Sequence, residues 1–271
     1  MSDLSSVRLV ALDIDGTIIE PGSSLDALPD RRVWDAVNRL HECGIHVMLA
    51  TGRMYPGTAS VARSLDITQP LICQQGATVH ELDGSVRHGL TIEPDIALDL
   101  YHLASERDWT LAWFDSFRYL ITRDCEQARF FAEVSQVEME VHPEPHLAGM
   151  QASGIDLLSE VHSPDEVFEE ISRRYPNQLS LLKFPTVTAI QAHGASKGAA
   201  LERHAQELGF GSDQVLAMGD SVNDVSMLAW AGHSASPAHC DAAARSATKE
   251  ILDGSGIQGV VDKLLAVADA A

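Results

Sequence analysis

Four aspartates stand in two short clusters, each just past an apolar run. Asp13 and Asp15 lie in DIDGT after VRLVAL, and Asp220 and Asp224 lie in GDSVND after VLAM. Carboxylates brought close together raise one another's pKa unless a cation lies between them. A set of oxygen donors without His or Cys suits Mg²⁺, which takes one or two carboxylates, several waters and phosphate oxygens. It does not suit zinc. Two further groups complete the chemistry: Thr51 and Gly52 in ATGR, and Lys197 in SKGAAL. The Thr51 hydroxyl and the Lys197 ammonium can hold the oxygens of a phosphoryl group. Charge stabilisation of those oxygens is the main source of catalysis in phosphoryl transfer. Taken singly, each group has a plainer reading. A lone D-x-D is equally a turn, and a lone Lys at a helix start is usually solvated. Their joint placement carries the argument.

That placement follows from the elements. VRLVALD (7–13) and IHVMLA (45–50) read as short buried strands. Between them, Val33, Val37 and Leu40 share one helix face, with Asp30 at its start and Gly44 at its stop. A short helix around Thr58 to Leu65 and a strand at PLICQQ follow. This alternation predicts a parallel sheet with right-handed crossovers. It returns after Ile190 with a helix at SKGAALERHAQELGF, a strand at VLAMGD and further short helices. Ligands of open parallel sheets bind beyond the carboxyl ends of the strands, and every cluster above falls on that edge.

Between these halves the pattern changes. From about residue 90 to 191 the order reads helix, strand, strand, helix, strand, helix, strand, strand, with TLAWF paired to RYLIT and LSLLKF paired to TVTAIQ across Pro185. The chain therefore divides into an α/β core, residues 1–83 and 191–271, and an inserted α+β unit, residues 84–190.

With 271 residues the chain can build one or two domains, and its 45% apolar content is ordinary for a globular protein. The formal net charge of −20 disfavours nucleic acid or an anionic membrane as partner. No stretch reaches the roughly 18 apolar residues of a membrane helix. The N-terminus carries no basic region ahead of an apolar run, so a cytoplasmic, unprocessed protein is expected. The four cysteines form no C-x-x-C pair and read as reduced thiols. Oligomeric state is not legible.

DIDGT, ATGR, SKGAAL and GDSVND, in this order and placement, resemble the haloacid dehalogenase (HAD) superfamily. The inserted unit is similar to that superfamily's type IIB cap, and the chain from about residue 7 to about 265 resembles its Cof-type phosphatases. The resemblance implies a Rossmann-like core, a mobile cap and hydrolysis of small phosphorylated metabolites such as sugar phosphates. Asp13 would be the nucleophile that forms an aspartyl phosphate. Asp15 would protonate the leaving oxygen and later activate water. Mg²⁺ would be held by Asp13, the backbone carbonyl of Asp15, and Asp220. Asp224 would support the metal, and Asn223 the phosphate, through hydrogen bonds or bound water. Thr51 and Gly52 would bind phosphate, and Lys197 would neutralise the charge shared with Asp13. A phosphomutase and a catalytically weak phospho-ligand-binding protein are the alternatives.

Several residues keep two readings. Arg53 can contact substrate or pair with a surface carboxylate. Gln75 stands where relatives carry Asn, which puts its role in doubt. His193 and Cys73 read as structural. The aromatic group Trp109, Trp113, Phe114, Phe117 and Tyr119 reads as cap core more than as a stacking platform. Specificity is expected from cap loops around 142–151 and Trp113 to Arg118.

Overall fold

A computed structural model describes residues 4–158, 164–254 and 256–271. The expected alternation is present: β1 (Leu9–Leu12), α1 (Arg31–Glu42), β2 (His46–Leu49), α2 (Tyr55–Ser64) and β3 (Leu71–Cys73). Two strands follow that the sequence reading missed, β4 (Thr78–His80) and β5 (Val86–Gly89). They pair antiparallel with β3 and with each other, which keeps the chain with the first unit as far as Gly89. The side chains of β5 are largely exposed, so it carries no burial pattern to read.

The inserted segment contains α3 (Pro94–Glu106), β6 (Thr110–Phe114), β7 (Tyr119–Ile121), α4 (Glu126–Val134), β8 (Met139–Val141), β9 (Gly154–Leu158), α5 (Pro164–Arg174), β10 (Leu179–Lys183) and β11 (Val187–Ala192). Its strands form one six-stranded sheet in the order β10-β11-β9-β6-β7-β8. The pairings β6 with β7 and β10 with β11 are those expected. β8 was not foreseen, and it runs parallel to β7 because the chain crosses back through α4. The expected extension of β9 to Val161 and the helix start at Ser163 lie outside the described residues.

The chain then returns with α6 (Lys197–Glu207), β12 (Val215–Met218), α7 (Val225–Trp230), β13 (His233–Ser236), α8 (Ala242–Ala247), β14 (Glu250–Ile251) and α9 (Gln258–Ala270). A five-stranded parallel sheet runs β14-β13-β12-β1-β2. β1 sits inside it between two parallel partners, which accounts for its uninterrupted apolar run. Alternate residues face opposite sides. Val10, Leu12, Val47 and Leu49 pack with α1 and α9, while Leu9, Ala11, Met48 and Ala217 pack with α6 and α7. β3 joins β2 only through the bridge of Ala50 to Ile72, so the expected third parallel strand is a corner leading into the antiparallel sheet.

The two units meet at the start of α2. No side chain of its own caps this helix. Instead Ser135, just past α4, accepts from the Met54 amide through its hydroxyl and from the Gly57 amide through its carbonyl. The helix-end donors that every helix leaves unpaired are thus satisfied from the other unit. A Cβ on Gly57 would collide with the carbonyl oxygen of Val134. Gln74 makes a second tie, donating to the Asp115 carbonyl and accepting from the Ser153 hydroxyl.

Gly57→Val should hold the two units apart while leaving both cores intact. The expected outcome is a larger radius of gyration by small-angle scattering, with thermal unfolding shifted by no more than a few degrees.

Candidate active site

The carboxyl edge of the parallel sheet gathers the predicted residues. Asp13 follows β1 directly, Thr51 and Gly52 follow β2, and the turn Val222–Asp224 follows β12. Lys197 opens α6, whose start is capped by the Ser196 hydroxyl accepting from the Ala199 amide. The Lys197 ammonium is fully buried and lies 2.7 Å from both Asp13 Oδ1 and Asp224 Oδ1. Burial works against its charge, but Asp13 and Asp224 outweigh burial and raise its pKa.

Asp224 has both oxygens engaged. Its second oxygen accepts from the amides of Asp220 and Ser221 at 2.9 and 3.0 Å. It therefore shapes the loop that presents Asp220. One carboxylate oxygen from each of Asp13, Asp220 and Asp224 falls within 4.8 Å of the others. Gly16, at a φ of +84°, turns the chain so closely over Asp220 that any Cβ there would strike its carboxylate.

The electrostatics are out of balance as the side chains stand. Burial, then Asp224 and Asp220, push the Asp13 carboxyl well above the usual range, and Lys197 opposes them without prevailing. Burial and then Asp224 push Asp220 up to about 7. Asp220 Oδ1 is also buried without a hydrogen-bond partner. An oxygen-only set that is short of positive charge fits a divalent cation of the Mg²⁺ type.

Asp15 stands at the mouth, half exposed. Arg53 is 4% exposed and forks onto it at 2.8 and 2.5 Å. Arg53 thus pairs with Asp15 at the mouth and lines the cavity beside it. Thr51 is buried and its hydroxyl accepts from the Arg53 amide. Gln75 sits in a tight turn at a φ of +60° and accepts from Asn223 at 2.9 Å, packed where Gly52 has no side chain. The substituted position therefore still links the ATGR and GDSVND loops. His193 is exposed on the turn before α6. Cys73 is buried, and burial pushes its thiol up to about 12, which fits packing.

Asp13, Asp15, Thr51, Gly52, Gln75, Asp220 and Asn223 floor a cavity of about 610 Å³ whose far walls come from the inserted unit. Trp109 and Trp113 lie in the core under α3 and α5, as expected, but Phe114 and Tyr119 also face the cavity. Phe117 is exposed and packs against Tyr55 and His80. The 142–151 stretch does not line the cavity, so that expectation for specificity is corrected. Its turn at Pro145–Leu147 packs toward α3. The inserted unit's part of the lining comes from α4, β6, β7, β9, β11 and the turn between β10 and β11. Sequence reading missed Asp156 there. A carboxylate inside the apolar run GIDLL was the available signal.

The profile of the haloacid dehalogenase-like hydrolases matches residues 10–264. The chain belongs to that family. It is a Cof-type phosphatase of the haloacid dehalogenase superfamily, in the class of phosphoric monoester hydrolases. A phosphoglycolate phosphatase of Halorubrum lacusprofundi is 28% identical to it, covering 94% of this chain and 95% of that protein. Phosphatase YwpJ of Bacillus subtilis is 26% identical, covering 83% and 87%. A haloacid dehalogenase-like hydrolase from Bacteroides thetaiotaomicron superposes with a TM-score of 0.81 at 18% identity, covering 96% and 99%, a likeness of fold. In this haloacid dehalogenase fold the parallel sheet is the Rossmann-like core and the inserted sheet stands in the place of the cap.

Two outcomes follow for this phosphatase site. Lys197→Ala leaves Asp13 and Asp224 buried without their cation and should cost about 3–5 kcal/mol in denaturant unfolding. Asp156, buried without a charged partner, is pushed up to about 7. A carboxyl raised in this way contributes full stability below its unfolded value and loses it as pH climbs toward 7. Asp156→Asn should therefore raise the melting temperature, and by more at pH 8 than at pH 5.

Proposed function

We propose that the chain is a Mg²⁺-dependent phosphatase of small phosphorylated metabolites that works through an aspartyl phosphate on Asp13. The observation that supports this most is the buried Lys197 ammonium shared by Asp13 and Asp224, beside Asp220, at the floor of the cavity. Asp13, Asp220 and the backbone carbonyl of Asp15 would hold the metal, with Asp224 and Asn223 keeping their loop in place. Bound there, Mg²⁺ would neutralise the carboxylates and polarise phosphoryl oxygens.

The protein's own groups account for the rest. Asp13 attacks phosphorus, and the bond from phosphorus to the ester oxygen breaks. Asp15 gives its proton to that oxygen. A water then loses a proton to Asp15 and attacks phosphorus, which frees inorganic phosphate and restores Asp13. Thr51, the Gly52 amide and Lys197 hold the phosphoryl oxygens. Arg53 must yield part of its fork for Asp15 to carry a proton, and the incoming phosphate is the anion able to draw it off.

The inserted unit, taken from after Gly89 to 190 because β5 stays with the first unit, acts in this reading as the cap, closing over the substrate and excluding water. The curated relatives do not agree on a substrate. Their names range from phosphoglycolate to a phosphoribitylamino uracil and HMP-PP. Sugar phosphates fit the size of the cavity. Four free thiols support a cytoplasmic setting. Among the described residues no helix is long and apolar enough to cross a membrane.

Phosphate release from a panel of phosphorylated metabolites tests the reading. Release is expected with Mg²⁺, and should vanish with EDTA and in Asp13→Asn. Isomerised phosphosugar in place of free phosphate would show a mutase instead. No release by folded, Mg²⁺-loaded protein would favour a binding role.

A further inference from the structure

The cavity has two chemically different ends. Its floor is Asp13, Asp15 and Asp220, with Lys197 buried behind Asp13. Its far wall is the face of the cap sheet that α3 and α5 leave uncovered. Asp156 stands there in the middle of β9, directly opposite Ala112 on β6 and Ala189 on β11. Both direct neighbours are small, and the larger side chains on that face, Phe114 and Gln191, stand two positions along their strands.

Asp156 is only 8% exposed, and its Oδ1 has no hydrogen-bond partner among the described residues. Nor, among the described residues, does any cation bear on its charge. Burial alone accounts for the rise of its pKa to about 7. Two further acceptors on the same cavity are buried and unpartnered, Gln191 Oε1 on β11 and Gln127 Oε1 on α4. Around them lie the rings of Phe114, Tyr119, Phe131 and Phe184. Gly154 makes room for one of these, because a Cβ at that position would strike the Phe114 ring.

Buried polar atoms without partners cost stability, and a leucine at position 156 would pack without that cost. No group among the described residues satisfies the three acceptors, so their donors come from water or from a ligand that displaces it. Its charge is constrained as well. Among the described residues no Lys, Arg or His of the cap lines the cavity, and Arg53 on the core side is already forked to Asp15. A substrate with a second anionic group would bring it against Asp156 and Glu126 with no cation to receive it. The aromatic walls favour a flat ring over a fully hydroxylated one.

We propose that Asp156 is the specificity-determining residue of the cavity, and that it selects phosphate esters whose far end is a flat ring bearing an amino or other N–H donor group. This rests on the phosphatase reading above. It deepens that reading by assigning the leaving group's chemistry to the cap.

The test compares 4-(aminomethyl)phenyl, 4-methylphenyl and 4-carboxyphenyl phosphates, with glucose 6-phosphate beside them. For the wild-type, Mg²⁺-loaded protein, kcat/KM for the aminomethyl ester should exceed that for the carboxyl ester by at least about tenfold, mostly through KM. In Asp156→Asn, shown to be folded by its melting temperature, the gap should shrink to about threefold or less. Calorimetry with Asp13→Asn gives the same order without turnover. Equal rates for the three aryl esters, a preference that survives in Asp156→Asn, or glucose 6-phosphate as the best substrate would each overturn the assignment. If none of the compounds is hydrolysed, the phosphatase reading fails, and the calorimetric order alone then decides the role of Asp156.

Discussion

Lys197 joins parts of the chain that lie far apart in sequence. Asp13 closes the first strand, Asp224 turns the chain after β12, and the ammonium between them is out of reach of water. Removing three charges from solvent costs several kcal/mol for each, and only close mutual pairing returns it. The cost is tolerable because α6, β1 and β12 are held in one register by the parallel sheet. The pairing in turn sets the loop beyond it. With one oxygen on Lys197, Asp224 is oriented so that its other oxygen receives two consecutive amides, and Asp220 is thereby aimed at Asp13. The sheet fixes the charge, and the charge fixes the catalytic loop.

Much of this could be read from residue order. The motif edge was legible because buried parallel strands appear as unbroken apolar runs, and the residue after each run must emerge at one rim. Asp13, Thr51 and Asp220 were placed in that way. Their hydrogen bonds were not legible. Arg53 lies only two residues from Thr51, yet its fork onto Asp15 depends on how two loops from different strands cross. Gln75 bonds Asn223 from 148 positions away, and no local pattern announces that. β5 and β8 escaped notice because their side chains face solvent, so burial left no periodicity. Asp156 escaped for the opposite reason. In an apolar strand one carboxylate looks like noise until the sheet shows that it faces a cavity and not a helix.

The two ends of the cavity divide the work of recognition. At the floor Lys197 is outnumbered by carboxylates, and the proposed metal would add the charge that a group common to every phosphate ester needs. The cap half offers acceptors and rings with no cation among the described residues, and in the proposed reading it discriminates among the groups that the phosphate carries. A protein of net charge −20 repels anions at long range. A substrate that is anionic at one end only meets less of that repulsion than one anionic at both.

The cap also completes α2, since the hydroxyl and carbonyl of Ser135 serve the first amides of a helix that begins just after ATGR. Each such bond contributes a net of about 1 kcal/mol once water competes for the same groups. Breaking both leaves an open state populated on the order of a few per cent from this latch alone. Parting the two units at this contact would expose the first amides of α2 to water a few residues past Thr51 and Gly52, so hydration of that helix end sets part of the cost of separating them.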